Sequence, residues 1–350
     1  MKVVPARLEP RFVERIWGAR SLAPLFPEKT NLGQPVGEVW MSGEDCCFAS
    51  GPFAGQRLAD AWAAMTPAWT GTRLAERSRF PLLVKFLFPE EKLSIQVHPG
   101  DDYARRHEAS RGGCGKTEMW YVLAARPGAE VLVGLKPEVT AESFFRAVNA
   151  GTVENLLERI PLKGGAAVFV PAGTVHAIGP GCVLCEIQQP SDITYRVFDY
   201  NRLTAAGAPR ELHVRQAMEV INFGEPSGGR VAPVVIERGP VRETYFIACR
   251  YFATEKWEFA ARIASVTSGE HFDLLIFIGG WGRLTSAGET AQYAPGQVWL
   301  LPAALGAYQL EPASQTTLLR TYVPDIVNDF VRRLTDQRVE ESAWSRLVYP

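Results

Sequence analysis

Histidine is scarce in this chain of 350 residues: only five occur, so chemistry that needs an imidazole has few places to reside. Excess charge is absent as well, with 37 Lys+Arg against 38 Asp+Glu for a net charge of -1. That balance excludes a general electrostatic attraction to nucleic acid or to an anionic membrane, while a local basic pocket for a small phosphate remains open. Long hydrophobic runs are missing too. The longest, Phe80 to Phe88, is interrupted by Lys85 and is far too short to cross a bilayer. The opening residues, Met1-Lys2-Val3-Val4-Pro5-Ala6-Arg7, lack the apolar core of a secretory signal, so a soluble, cytoplasmic protein is expected. Cysteine is sparse. Of Cys46, Cys47, Cys114, Cys182, Cys185 and Cys249, only Cys182 and Cys185 have a CxxC spacing, and no second pair completes a zinc ribbon. Residues three apart on a strand point to opposite faces, so ordinary reduced thiols are expected.

What is present is apolar residue, 47% of the chain, enough for a large core. Roughly 100–200 residues per domain makes this two domains or two fused repeats. The 31 glycines and 25 prolines divide the chain into many short elements. Most read as strands: Leu82 to Phe88, Met119 to Leu123, Glu130 to Val133, Ala167 to Val170, Phe272 to Ile278, Val298 to Leu301 and Thr317 to Tyr322. Helical patterns cover Leu58 to Met65, Thr140 to Ile160 (two short helices split at Gly151), Pro209 to Ile221, and an amphipathic stripe from Ile326 to Leu334. A linker spans Asn222 to Gly229. A faint repeat crosses it: Gly165-Ala166-Ala167-Val168-Phe169-Val170-Pro171 has the spacing of Gly296-Gln297-Val298-Trp299-Leu300-Leu301-Pro302. Gly173 and His176 follow the first copy, whereas Ala304 and Ala307 hold those places in the second. The expected layout is a chemical module over residues 1–222 with a small helical insertion near 140–160, a module without metal ligands over 230–325, and a C-terminal helix and tail over 326–350.

The candidate chemistry gathers from separate segments. In an extended stretch, residues two apart share a face, so Gln96 and His98 can converge on one point while Val97 packs the other way. Glu118 opens the strand that runs on from Met119, and His176 follows the turn at Pro171-Ala172-Gly173. Imidazole nitrogen and carboxylate oxygen suit a divalent cation such as zinc, and an amide oxygen can fill a fourth position. Taken singly, a histidine after a strand is more often a hydrogen-bonded structural residue, and a glutamate before a strand is usually a surface one. The spacing Gly165-x5-Pro171-x-Gly173-x2-His176, however, matches the second motif of the cupin barrels. The first cupin motif normally supplies His-x-His and a nearby Glu; here Gln-x-His stands in, and the Glu arrives after an inserted loop, Pro99 to Lys116, that could wall a substrate pocket. His107, in that loop, His213, in the third helical pattern, and His271 read as structural or surface residues.

Four ordered stretches resemble type I mannose-6-phosphate isomerase (phosphomannose isomerase), in its short bacterial form: Leu93-Ser94-Ile95-Gln96-Val97-His98-Pro99, Gly115-Lys116-Thr117-Glu118-Met119-Trp120-Tyr121, Val170 to Gly179, and Glu186 to Tyr200. The similarity runs from about Arg11 to about residue 325. It implies a mainly-β fold of two cupin-type (double-stranded β-helix, or jelly-roll) barrels. It also implies one Zn2+ per chain held by Gln96, His98, Glu118 and His176, an active-site arginine at Arg196, and Lys116, Glu186 and Asp192 in or beside the pocket. Read from chemistry alone, Arg196 in a barrel mouth should bind an anion or sit in an ion pair with Asp199 or Asp192. The long form of the family has a histidine where this chain has Gly115, so no role for that histidine transfers.

The resemblance implies interconversion of mannose 6-phosphate and fructose 6-phosphate, in which one proton moves between C1 and C2 through a cis-enediolate. Arg196 would add fixed positive charge beside the oxyanion, and Lys116 or Ser94 could contribute to the phosphate. Glu186, Asp192 and Lys116 are each able to carry the proton. Two other readings stand beside it: a cupin dioxygenase, which prefers histidine-rich iron ligation, and a non-catalytic bicupin that binds a sugar phosphate. Oligomeric state is not legible.

Overall fold

The computed structural model describes residues 2–203, 207–224 and 228–349; Glu225 to Ser227, in the expected linker, lie outside the described residues. Its strands form four sheets. A seven-stranded sheet runs in the order Gly229–Arg230, Ala167–Val170, Glu118–Ala125, Cys182–Gln188, Leu83–Leu87, Val36–Trp40, Arg11–Ala19. Facing it is a five-stranded sheet in the order Tyr195–Phe198, Ile95–Val97, His176–Ile178, Glu130–Leu135, Leu157–Pro161. The pattern repeats in the second half. An eight-stranded sheet contains Val298–Leu301, Asp273–Gly279, Thr316–Tyr322, Ala253–Phe259 and Val241–Cys249, and a four-stranded sheet faces it. The chain is mainly β, as expected, in two barrels of like construction.

Period-two alternation builds both interiors and the junction between them. Along Glu118–Ala125, Trp120 and Val122 face into the first barrel, where they meet Leu87, Val131, Val133, Val168, Val170 and Leu184. Met119 and Tyr121 point the other way, into a large shared core with Phe169, Ile187, Leu274, Ile276, Leu300 and Leu319. The two large sheets are thus packed back to back, and Tyr121 meets Phe246 edge-on at 5.5 Å. The second barrel fills its own interior with Trp257, Phe259, Leu275, Phe277, Trp299 and Leu318. Cys182 and Cys185 fall on opposite sides of their strand, in the first interior and the shared core respectively. All six cysteines are free.

Helices Ala141–Asn149 and Val214–Val220 pack outside the five-stranded sheet, whereas Leu58–Ala64 buries Leu58, Ala61 and Trp62 in the shared core. Ala141–Asn149 begins at a capping box between Thr140 and Ser143 and buries Phe144 and Val148 against Ile95, Val97 and Tyr195. The second helix expected in this region is only the single 3-10 turn Val153–Leu156, and Leu157–Pro161 is an edge strand paired with Glu130–Leu135. A short apolar run carries too little periodicity to separate the two forms. The pattern from Pro209 likewise yields a helix only over Val214–Val220, with His213 ahead of it.

Both chain ends sit on the second barrel's large sheet. Ala6–Arg7 pairs with Val298–Leu301, although the sequence pattern groups it with the first module. Beyond Tyr322 the chain enters a π-helical turn, Ile326–Val331, capped by the Asp325 carboxylate, and continues as the helix Arg332–Asp336. Phe330 and Leu334 are buried while Val327 is exposed. Val348–Tyr349 then adds a strand beside Val241–Cys249, and the Tyr349 ring rests 4.3 Å from that of Phe169. Among the described residues no helix is long and apolar enough to cross a membrane.

Candidate metal centre and active-site cavity

Strand register sets the site. Gln96 is paired across the small sheet with His176 on one side and with Arg196 on the other. Directly opposed residues of antiparallel strands project to the same face. His176, Gln96 and Arg196 therefore stand in a row, and His98, two residues beyond Gln96, shares that face. The large sheet supplies a second row: Trp40, Lys85, Glu186 and Trp120 are register partners across four adjacent strands. Glu118, two residues before Trp120, looks across the barrel at the two histidines.

His98, Glu118 and His176 are buried, and their ligand atoms lie within 4.8 Å of one another. The His98 Nε2 is 3.6 Å from Glu118 Oε2, and the His176 Nε2 is 3.5 Å from Glu118 Oε1. Each Nδ1 faces a backbone carbonyl, that of Ile193 at 2.8 Å for His98 and that of Thr174 at 2.9 Å for His176. A carbonyl only accepts, so both Nδ1 atoms carry the proton and both Nε2 lone pairs are turned toward Glu118. Burial, with the Lys116 ammonium second, pushes the His98 imidazole well below its ordinary pKa; burial also takes His176 down to about 4. Both rings are therefore neutral.

Among the described residues neither Glu118 oxygen accepts a hydrogen bond. Lys116 Nζ comes to 2.8 Å of Oε2, too obliquely to donate well, and it also lies 3.2 Å from His98 Nε2. A buried carboxylate stands between two imidazole lone pairs, and the donors that reach the group, Lys116 Nζ and Gln96 Nε2, lie on the two histidine nitrogens. Desolvation of such a charge costs on the order of several kcal/mol unless a cation offsets it, as the Lys116 ammonium does here from one side. The donor set, two nitrogens and a carboxylate with second-layer carbonyls fixing the rings, fits a divalent metal. Gln96 presents its Nε2 to His176 Nε2 at 3.2 Å, while its Oε1 accepts from Ser94 Oγ at 3.2 Å. A half-turn of the amide would bring Oε1 to the same point, and Ser94 Oγ can serve either orientation because a hydroxyl donates and accepts.

The cluster borders a cavity of about 460 Å³ lined by Ser94, Gln96, Lys116, Glu186, Asp192 and Arg196, six of the residues singled out from sequence. Arg196 is half-buried. Its Nη1 donates to the Glu211 carbonyl at 2.9 Å, its Nε has no partner, and it makes no ion pair among the described residues. The two carboxylates that could have neutralised it are engaged elsewhere: Asp199 with Arg202 and Arg210, Asp192 with Lys85 at 3.1 Å.

Sequence reasoning passed over Lys85. It is buried, 3.5 Å from Glu186 Oε1 and 4.7 Å from the Trp40 ring centre. Its signal was visible as the lone charge at an inward position of an apolar strand. Trp120 Nε1 donates to Glu186 Oε2 at 3.1 Å. Burial, then the Glu118 charge, raises the Glu186 carboxyl above its ordinary range. Burial alone would lower both Lys85 and Lys116, but the surrounding carboxylates reverse the direction and raise both. Arg15, Arg111, Arg210 and His213 also line the cavity. His213, set aside as structural and expected within a helix, precedes the helix instead; its N–H donates to the Arg196 carbonyl at 2.7 Å and its Nδ1 accepts from the Arg196 N–H at 3.3 Å. His107 stacks on Tyr103, and His271 is buried against Tyr322 in the second barrel.

Register also shows what became of the equivalent place in the second barrel. Glu118 pairs with Val170 as Asp273 pairs with Leu301. Lys85 opposite Glu186 corresponds to Glu255 opposite Arg320, the charges exchanged. There the Arg320 guanidinium, buried, bonds Glu255 at 2.6 Å and Asp273 at 2.9 Å, and Arg333 from the C-terminal helix bonds Glu243 and Glu255. Side-chain cations neutralise those acids internally. Among the described residues the His98, Glu118, His176 cluster is the only group of its kind.

Comparison with known proteins accords with this geometry. Residues 6–118 match the family model for the phosphomannose isomerase type I catalytic domain, and residues 242–323 match that for the mannose-6-phosphate isomerase cupin domain. The chain is 36% identical over 324 residues to the mannose-6-phosphate isomerase ManA of Bacillus subtilis (strain 168), covering 89% of this chain and 97% of that one. The crystal structure of the mannose 6-phosphate isomerase from Bacillus subtilis superposes with a TM-score of 0.83 at 32% identity, covering 91% of this chain and 99% of that chain. A zinc-bound mannose 6-phosphate isomerase structure shares the fold at a TM-score of 0.70 and 18% identity, covering 91% of this chain and 99% of that chain. By these matches the chain belongs to the type I phosphomannose isomerase family, built on the cupin fold.

Proposed function

We propose that this protein is a metal-dependent aldose–ketose isomerase interconverting mannose 6-phosphate and fructose 6-phosphate. The observation that carries the reading is a buried cluster of candidate ligands, His98, Glu118 and His176, whose neighbours Gln96 and Lys116 line a cavity together with an arginine that has no ion pair among the described residues. Gln96, His98, Glu118 and His176 would hold one zinc ion per chain. When bound, the metal supplies Lewis acidity at the O1/O2 edge of the open-chain sugar.

The chain's own groups do the rest. Arg196, in the same row as Gln96 and His176, places fixed positive charge next to the oxygen on which charge develops. A pre-oriented donor of this kind in a water-poor cavity stabilises the transition state more than it does the ground state. Lys116 lies between His98 and Glu118 and can donate to a sugar oxygen held there. Glu186, with its carboxyl raised and its orientation fixed by Trp120, takes the proton from one carbon and returns it to the other, and Lys85 steadies the carboxylate charge present before the proton is taken and after it is returned. Asp192 is more exposed and serves Lys85. Ser94 orients the Gln96 amide. Six cations line the cavity (Arg15, Lys85, Arg111, Lys116, Arg196 and Arg210) against four carboxylates (Glu14, Glu38, Glu186 and Asp192), a surplus that suits a sugar bearing a phosphate. The substrate class and the free thiols accord with the cytoplasm. No nucleic-acid or membrane partner belongs to this reading.

The family match and the lysine and glutamine beside the histidines disfavour a dioxygenase, and the intact cluster disfavours a non-catalytic binder. A coupled assay from mannose 6-phosphate to fructose 6-phosphate tests the reading directly. In that assay Arg196→Ala should lower turnover about 10²–10³-fold with metal content unchanged. Near-normal turnover would remove Arg196 from the mechanism.

A further inference from the structure

The candidate ligands and the cavity belong to the first barrel, yet the second barrel reaches the same segment from behind. Asp101 opens the short helix in the inserted loop. Its Oδ1 accepts from the Gly115 N–H at 2.9 Å and from Gln189 Nε2 at 2.9 Å. Its Oδ2 accepts from the Tyr251 hydroxyl at 2.7 Å and from Arg250 Nη2 at 3.4 Å. Tyr251 and Arg250 lie in the turn joining the second barrel's strands Val241–Cys249 and Ala253–Phe259. Gln189, itself buried, passes the constraint on: its Oε1 accepts from the Thr117 N–H at 2.9 Å, and its own N–H donates to the Thr117 carbonyl at 3.1 Å.

The backbone is therefore pinned at Gly115 and at Thr117, one residue on either side of Lys116 and just ahead of Glu118. The Lys116 N–H is itself held by the Pro99 carbonyl at 3.0 Å. No side chain fits at 115, because a Cβ there would come within 2.6 Å of the Asp101 nitrogen and 2.9 Å of its Oδ1. The glycine that replaces the long form's histidine is what lets Asp101 approach the chain this closely.

We propose that Asp101 is a positioning residue for isomerisation, through which Tyr251 of the second barrel fixes where Lys116 and Glu118 stand. The second barrel, with its acids neutralised internally, thereby acts on the chemistry of the first. The inference rests on the isomerase reading above, and the two can fail separately: an inactive wild-type protein overturns that reading, whereas this one is judged by ratios among variants of an active enzyme.

The test compares wild type, Asp101→Ala, Asp101→Asn and Tyr251→Phe, each loaded with zinc, by kcat and KM for mannose 6-phosphate and by Tm. Misplacement of reacting groups by a fraction of an ångström should cost Asp101→Ala about tenfold to a hundredfold in kcat with KM within about twofold. Asp101→Asn keeps an oxygen for the Gly115 and Gln189 donors and should recover most of that loss, which a merely adhesive contact between barrels would not predict. Asp101→Ala with kcat within about twofold of wild type, or Asp101→Asn no better than Asp101→Ala, would overturn the proposal. If Asp101→Ala does not fold, Tyr251→Phe decides: a kcat loss beyond about twofold supports the assignment and a smaller one overturns it.

Discussion

Replacing His176 by alanine should abolish isomerisation and metal retention together. The imidazole is wholly buried, its Nδ1 is spent on the Thr174 carbonyl, and its Nε2 aims at the point shared with Glu118 and His98. Lewis-acid stabilisation is worth several kcal/mol, and each 1.36 kcal/mol is a factor of ten in rate. Turnover should therefore fall about a thousandfold or more. Metal content after gel filtration, measured beside the coupled assay, reads both effects at once. A His176→Ala protein that keeps a full metal complement and turns over within about tenfold of wild type would remove His176 from the ligand set.

Glu186→Gln should leave the metal in place and stop the proton. The amide oxygen can still accept from Trp120 Nε1, so the side chain keeps its orientation while losing its basicity. Removal of a positioned general base typically costs 10²–10⁴-fold, and kcat should drop by about that amount with KM little changed. Proton exchange at C1 and C2 in deuterated solvent should fall in step with turnover. The rival carrier, Asp192, is exposed and committed to Lys85. Partial loss of water around its carboxyl group tends to raise its pKa, but the Lys85 and Lys116 ammoniums outweigh that and hold it below its ordinary range, which suits a counter-ion better than a base. If Glu186→Gln retained exchange while Asp192→Asn lost it, the two roles would have to be swapped.

How much of this was legible beforehand follows from the physics of each part. Gln96 and His98 were readable because a strand's two-residue period alone puts them on one face. His176 was readable because a proline-glycine turn fixes where the chain goes next. Arg196 could be singled out as an arginine in a barrel mouth, but its lack of a carboxylate partner depends on Asp199 being taken by Arg202 and Arg210, which only the fold decides. The row Trp40, Lys85, Glu186, Trp120 is a matter of register between four strands, and register is set by long-range pairing that no local pattern encodes. Lys85 went unread for that reason. The same cause hid the exchange of Lys85 and Glu186 for Glu255 and Arg320 in the second barrel, and the arrival of Arg333 from a segment that read only as an amphipathic helix. Leu157–Pro161 and the stretch ahead of Val214 were misjudged as helix because a few apolar residues satisfy either period.

The central claim is that a single metal, held where the lone pairs of His98 and His176 meet Glu118, enables the isomerisation. Chelation followed by stepwise return of Zn2+, with mannose 6-phosphate turnover read at each step, tests it most directly. The metal-free protein should be inactive, and turnover should rise linearly to a plateau at one ion per chain. Undiminished turnover in protein stripped of metal would contradict the account.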